Sequence, residues 1–328
     1  MSDITVILDQ KDLIVSLESE TLRVDKPSGL FERIPLIMIE KLIVNQKTMI
    51  SSDVWNAFSQ RNIPAILFTA RNRKDPAYLG LNFSTHKYQR RIRQNMALLD
   101  SSLWLQISKW LLDEKMEGQE CLLHHLGGSM TYDFCKTISK QRTLIKSCKS
   151  TGELMGHEGA AARAYFQGLA AFLPQKWQFS GRNKRPTKDP INALLSYTYV
   201  IVSGNIQQAL IRKGLDASLS FLHSLHSGRM SLIYDIMEPL RPLLDSFVLK
   251  LLDNPITPDN FINNKDGACY LNQHGRKAFF SALGNWNVNF LQYNKSLASI
   301  INSIIDDLID FFPEIPLSLL NRFEGEYY

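Results

Sequence analysis

Short apolar runs at residues 4–8, 13–17, 21–24, 37–44 and 63–68 open the chain. Turn-prone clusters separate them, such as Asp9-Gln10-Lys11-Asp12 and Lys26-Pro27-Ser28-Gly29. Runs so closely spaced predict strands joined as antiparallel hairpins and folded into a small sandwich. One segment breaks the pattern. Ser51-Ser52-Asp53 precedes Val54, Trp55, Ala57 and Phe58, a cap followed by apolar residues at helical spacing. One short helix is therefore expected within the sheet region.

From about residue 84 the period becomes helical. Between residues 88 and 115, Ile92, Met96, Leu99, Leu103, Ile107, Trp110 and Leu111 share one stripe, which predicts a single long amphipathic helix. Further helical patterns cover 187–212, 231–253, 274–284 and 288–312. The polar stretch Arg71-Asn72-Arg73-Lys74-Asp75-Pro76 reads as a linker. The expected class is α+β: an N-terminal β-sandwich domain over residues 1–70, a linker over 71–84, and a larger all-α domain over 85–328.

Composition narrows the setting. The 328 residues are 45% hydrophobic and 21% charged, an ordinary globular balance with enough chain for two cores. The net charge of +5 is too small to imply a nucleic-acid partner by itself. Its distribution says more. Arg90, Arg91 and Arg93 open the long helix, and Lys136, Lys140, Arg142, Lys146 and Lys149 recur before residue 158. Arg182, Lys184, Arg185 and Lys188 crowd the loop GRNKRPTKDP. Such clusters suit a phosphate backbone, although each also fits a solvated face. The four cysteines show no CxxC spacing, so free thiols in a reducing compartment are expected. The N-terminal residues lack the basic region and cleavage site of a signal peptide, and no apolar run approaches the roughly 20 residues of a membrane span. A soluble, cytoplasmic protein is expected.

Two segments carry candidate chemistry. In GHEGAAARAYF, glycines flank Glu158 and three alanines follow, small residues that let another helix come close with the glutamate at the mouth of the contact. Arg163 could pair there with a carboxylate or a phosphate. A glutamate at a helix start is the plainer alternative. In FLHSLHSGRMSLIYDIMEPLRP, His223 and His226 precede Asp235 and Glu238, two acids in an otherwise apolar segment. Buried acids are costly unless paired or bound to metal. A helix would set Asp235 and Glu238 on one face, yet Pro239 favours a helix start or kink at Glu238. A core histidine and a capping carboxylate would also fit. Together, Glu158, His223 and Glu238 form a donor set suited to Mg²⁺ or Mn²⁺.

Five ordered segments carry a family resemblance: IPLIMIEKLIV with SQRNIPAILF, then GHEGAAARAYF, GRNKRPTKDPINALLSYTY, GLDASLSFLH and MSLIYDIMEPLRPLLD. The chain resembles the Cas-one integrase family of CRISPR adaptation over nearly its whole length. The resemblance implies an N-terminal β-domain that mediates homodimerisation and a helical domain carrying a metal site. It puts the ligands at Glu158, His223 and Glu238, with Asp235 as a further acidic position beside them. It implies Mg²⁺ or Mn²⁺ as cofactor and double-stranded DNA, both spacer precursor and repeat array, as substrate. A small dimeric partner, Cas-two, would span two integrase dimers. Arg163, Arg182, Lys184 and Arg185 are then the expected DNA contacts. The expected reaction is spacer insertion by 3′-hydroxyl transesterification. A stand-alone structure-specific nuclease and a non-catalytic DNA-binding scaffold are the alternatives.

Overall fold

A computed structural model describes residues 4–61, 63–68, 77–79, 87–183, 186–227, 229–265, 267–284, 286, 288–290 and 293–317. The chain divides into two compact units, Met1–Ser84 and Thr85–Tyr328.

The first unit runs β1 (Ile4–Leu8), β2 (Leu13–Glu18), β3 (Thr21–Asp25), β4 (Phe31–Pro35), β5 (Ile39–Val44), β6 (Thr48–Ile50), α1 (Ser52–Gln60), β7 (Ala65–Leu67) and β8 (Ala77–Leu79). Two four-stranded sheets form, in the orders β1-β5-β7-β8 and β4-β3-β2-β6. Alternation explains their faces: Leu22 and Val24 of β3 are buried, whereas Thr21, Arg23 and Asp25 are only partly so. Val6 and Leu8 of one sheet, Val15 and Leu22 of the other, and Val54 and Phe58 of α1 share one core.

The antiparallel hairpins expected between neighbouring runs form at β2–β3 and β3–β4, but other pairs depart from that expectation. β1 pairs with β5, β5 with β7 and β2 with β6, all in parallel. Parallel neighbours need a crossover, and here the β2–β4 meander of the second sheet supplies it between β1 and β5. Short spacing along the chain thus makes only some successive runs partners. Residues 77–79, read as linker, pair antiparallel with β7, and residues 71–76 lie outside the described residues.

The second unit contains α2 (Tyr88–Leu99), α3 (Ser101–Gly127), α4 (Tyr132–Ile145), α5 (Thr151–Phe172), α6 (Pro190–Arg212) and α7 (Ser231–Leu251). There follow β9 (Phe261–Asn263), β10 (Cys269–Leu271), α8 (Gln273–Gly284), β11 (Val288–Phe290), β12 (Tyr293–Lys295) and α9 (Leu297–Asp310). Two predicted helices are redrawn. The expected helix over 88–115 breaks at Asp100, whose carboxylate accepts from Ser102 N and Leu103 N at 2.9 and 3.1 Å and caps α3. The apolar period survives a one-residue break, so it could not reveal one. Residues 288–295 form an antiparallel hairpin, and the helix expected there begins only after Ser296, whose hydroxyl accepts from Ser299 N. The all-α expectation for this unit is corrected by that hairpin and by the β9–β10 pair.

Neither helix start nor helix end occurs at Glu238. α7 continues through Pro239 and Pro242. An interior proline costs about 3 kcal/mol. Burial of Leu232, Ile236, Leu240, Leu244 and Val248 along the same helix contributes about 2 kcal/mol each, which outweighs it. Pro242 itself packs on α3, where a Cβ at Gly118 would sit 2.9 Å from the proline ring. Only glycine admits that approach, and it brings the middle of α3 against the acidic stretch of α7.

Candidate active site

Ser150 caps α5 by accepting from Glu153 N, so Glu158 stands inside the helix rather than at its start. The glycines beside it do not receive a neighbouring helix, since a Cβ at Gly156 or Gly159 would meet nothing within 4 Å. The close approach occurs further on, at Gly168 against Leu123 of α3.

His223 lies in the segment between α6 and α7, and Asp235 and Glu238 lie one turn apart on α7. Asp235 is fully buried. Its Oδ2 accepts from Phe221 N at 2.6 Å and Leu222 N at 3.0 Å, while its Oδ1 accepts from His223 N at 3.0 Å. His223 Nδ1 lies 2.7 Å from the same Oδ1. A carboxylate accepts only, so the ring proton sits on Nδ1 and the Nε2 lone pair is left outward, 3.8 Å from Glu238 Oε1. Asp235 is therefore the clamp that folds the segment and fixes the tautomer. The segment is held from behind as well. Ser108 Oγ and Trp104 Nε1 donate to Phe221 O, and buried Gln94 donates to Asp216 O and Leu219 O while accepting from Asp216 N.

Glu158, His223 and Glu238 line one cavity of about 550 Å³, together with Lys115, Arg163 and Arg182. Lys115, only 6% exposed, comes between the two glutamates. Its ammonium donates to Glu158 Oε1 at 2.5 Å and stands 2.6 Å from Glu238 Oε2. The second contact is a buried ion pair, and the Lys115 ammonium is the close partner of Glu238 Oε2 among the described residues. Arg241 Nε donates to Glu238 Oε1 at 2.9 Å. Burial opposes charge on Glu238, but Arg241 and Lys115 hold its carboxyl well below the usual carboxylate range. Burial likewise opposes the Lys115 ammonium, and Glu238 and Glu158 outweigh it and raise its value.

A second polar layer lies beneath. The Arg241 guanidinium covers Tyr199 at 4.7 Å from the ring centroid. Tyr199 donates to Asp245 Oδ1, and Tyr165 donates to Asp245 Oδ2 at 2.7 Å. Burial raises the Asp245 carboxyl even against both bonds, and it pushes both phenols well above their ordinary value. Arg182, expected on DNA, lines the cavity and is half-buried. It donates to Asn183 O, Asn192 Oδ1 and Ser196 Oγ and so pins the GRNKRPTKDP loop to α6. Arg163 is exposed at the cavity and makes no hydrogen bond or ion pair among the described residues. Lys184 and Arg185 lie outside the described residues. Lys115 escaped the sequence reading, though a lysine one turn beyond Leu111 on an apolar stripe was a signal of a buried cation.

The donor set suits Mg²⁺ or Mn²⁺: two carboxylates and an imidazole with its second nitrogen locked. Among the described residues no three ligating groups stand together as a closed set, and the Lys115 ammonium lies between Glu158 and Glu238. The low carboxyl value of Glu238 has a consequence for stability. A depressed folded value stabilises above the ordinary range and is lost as pH falls through it. Glu238→Gln should lower stability to urea at pH 7, and the gap should shrink below roughly pH 4. A gap that stays constant with pH would exclude the ionised pairing.

The family profile described as "CRISPR associated protein Cas1" matches residues 6–285. A Cas4 exonuclease/Cas1 endonuclease fusion of Leptospira interrogans is 32% identical over 281 residues, covering 82% of this chain and 51% of that protein. A CRISPR-associated endonuclease Cas1 of Mycobacterium tuberculosis is 32% identical over 203 residues, covering 60% of each chain. The chain thus spans about half to three-fifths of the length of these curated relatives. Among solved structures, a CAS1 protein from Thermotoga maritima superposes with a TM-score of 0.80 at 18% identity, covering 99% of this chain and 98% of that one. A casposase bound to integration product gives 0.79 at 22%, covering 95% and 90%. Both share the strand-rich start and the helical remainder. The match over residues 6–285 makes this chain a member of the CRISPR-associated Cas1 family.

Proposed function

We propose that this protein is a divalent-metal-dependent DNA integrase and endonuclease that inserts short duplexes into a CRISPR repeat array. The observation that carries the reading is the cavity in which Asp235 locks His223 beside Glu238 and Glu158. Glu158, His223 and Glu238 would hold the cation, and Asp235 keeps the ring proton on Nδ1. When bound, Mg²⁺ or Mn²⁺ supplies charge stabilisation for in-line phosphoryl transfer. The 3′-hydroxyl oxygen of the incoming strand forms a bond to a target phosphorus. The bond from that phosphorus to the target 3′-oxygen breaks, and the hydroxyl proton ends on the leaving oxygen. Arg163, with Lys184 and Arg185, binds backbone phosphates, and Arg182 acts through the loop it pins. Water in place of the 3′-hydroxyl turns the same site to hydrolysis.

A labelled duplex incubated with a repeat-bearing target and Mn²⁺ should give joined products longer than the target, and EDTA should abolish them. Shorter fragments alone would reduce the activity to hydrolysis, and undiminished joining in EDTA would remove the metal from the reading.

The partners follow the same reasoning. A chain of a Cas6-RT-Cas1–Cas2 complex superposes on 96% of this chain with a TM-score of 0.79, which supports Cas2 as a partner. Homodimerisation through the first unit is favoured by a cross-strand row on the β4-β3-β2-β6 sheet. Met49 pairs with Ile14, Ile14 with Asp25 and Asp25 with Phe31, and the three apolar members are all exposed. Light scattering should report the mass of two chains, and the Ile14→Asp/Met49→Asp double variant should report one. A dimeric double variant would move the interface elsewhere. A cytoplasmic setting agrees with four free cysteines and with the absence, among the described residues, of a helix long and apolar enough to cross a membrane.

A further inference from the structure

The cavity already holds a cation of its own. Lys115 reaches in from α3 and joins a carboxylate of α5 to a carboxylate of α7, with its ammonium 2.5 Å from Glu158 Oε1 and 2.6 Å from Glu238 Oε2. Glu158 and Glu238 are the carboxylates that would hold the divalent ion of the proposed site. Ammonium and ion cannot share it. A lysine displaced from there cannot simply enter solvent, because its side chain is 8% exposed. It needs another acceptor inside the protein.

The structure contains one. Gln119 lies four residues further along α3, lines the same cavity and is 2% exposed. Its Oε1 has no hydrogen-bond partner among the described residues. Side chains four apart on a helix are neighbours, with Cβ atoms roughly 5–6 Å apart, within the sweep of a lysine. A buried acceptor left unpaired is costly, so an unpaired amide oxygen beside a single buried ammonium calls for an alternative state in which the two meet. Glu238 Oε2 is the complementary half: a buried carboxylate oxygen that now has the ammonium as its close partner and would be released to the incoming ion.

We propose that Lys115 is the resident cation of the site, which gives up its place between Glu158 and Glu238 to an incoming divalent ion and takes Gln119 Oε1 as its partner in the loaded state. This rests on the metal-site reading above. The exchange keeps the two glutamates from repelling each other before loading and lowers metal affinity. It also leaves a positive charge inside the cavity, beside the phosphate, once the ion is in.

Mn²⁺ binding to the full chain without DNA, followed by the electron paramagnetic resonance signal of free Mn²⁺, tests this independently of turnover. Lys115→Met should bind Mn²⁺ at least about tenfold more tightly than the wild type, since a like charge has left the site. Gln119→Met should bind it severalfold more weakly, with the melting temperature of the unloaded protein unchanged. Binding that is lost in Glu158→Gln but not strengthened in Lys115→Met would overturn the exchange and leave the metal site standing. If Lys115→Met does not fold, an unchanged affinity in Gln119→Met overturns it equally. No Mn²⁺ binding to the wild type, or full binding to Glu158→Gln, would overturn the metal-site reading and this proposal with it.

Discussion

Asp235→Ala should destabilise the second unit by about 4 kcal/mol and lower its melting temperature by about 10 °C. The carboxylate is the acceptor for three backbone N–H groups, those of Phe221, Leu222 and His223. Alanine leaves all three without it, at about 1–3 kcal/mol each for the more deeply buried ones. Asparagine is no remedy, because its NH₂ would point a donor at donors. Strand transfer should fall by about a hundredfold even in the fraction that stays folded, since His223 loses the partner that sets its tautomer. Thermal melting and a strand-transfer assay on the same preparation read both effects. An Asp235→Ala protein as stable as the wild type would show that the clamp contributes nothing to the fold.

His223→Ala should divide the two effects. The ring contributes one bond to Asp235, whose other three remain, so the melting temperature should change by only a few degrees, matching about 1 kcal/mol. Activity should fall at least about a thousandfold, the equivalent of several kcal/mol of lost charge stabilisation. Joined and cleaved products measured over a Mn²⁺ titration provide the check. If added Mn²⁺ restored full activity, His223 would only tune affinity. If activity stayed intact at every concentration, His223 would have no part in the site.

The contrast between these two residues marks what the sequence could reveal. Glu158, His223 and Glu238 were legible as polar residues in apolar or small-residue surroundings, and family resemblance drew Asp235 beside them. The reason for Asp235 was not legible, because it consists of bonds to the backbone of a segment a dozen residues away. Lys115 was out of reach for a similar reason: its partners come from α5 and α7, and only tertiary contact gives a stripe lysine its role. In the fold, the strand runs and helical periods emerged from local pattern. Parallel pairing did not, since it depends on which strands a crossover brings together. Pro239 misled for the opposite reason. It is a strong local signal, overruled by the buried apolar residues of α7.

The meeting of Gly118 with the ring of Pro242 bears on temperature. Neither partner has an open side chain to rotate, as one is a bare methylene and the other a closed ring limited to its puckers. Packing at that point has no alternative rotamers to populate on warming. The spacing between the α3 backbone near Lys115 and the α7 backbone near Glu238 is thus set by covalent shape and not by an average over conformers. The attraction across that gap should therefore hold nearly constant until the helices themselves melt, and fail with them in a single step.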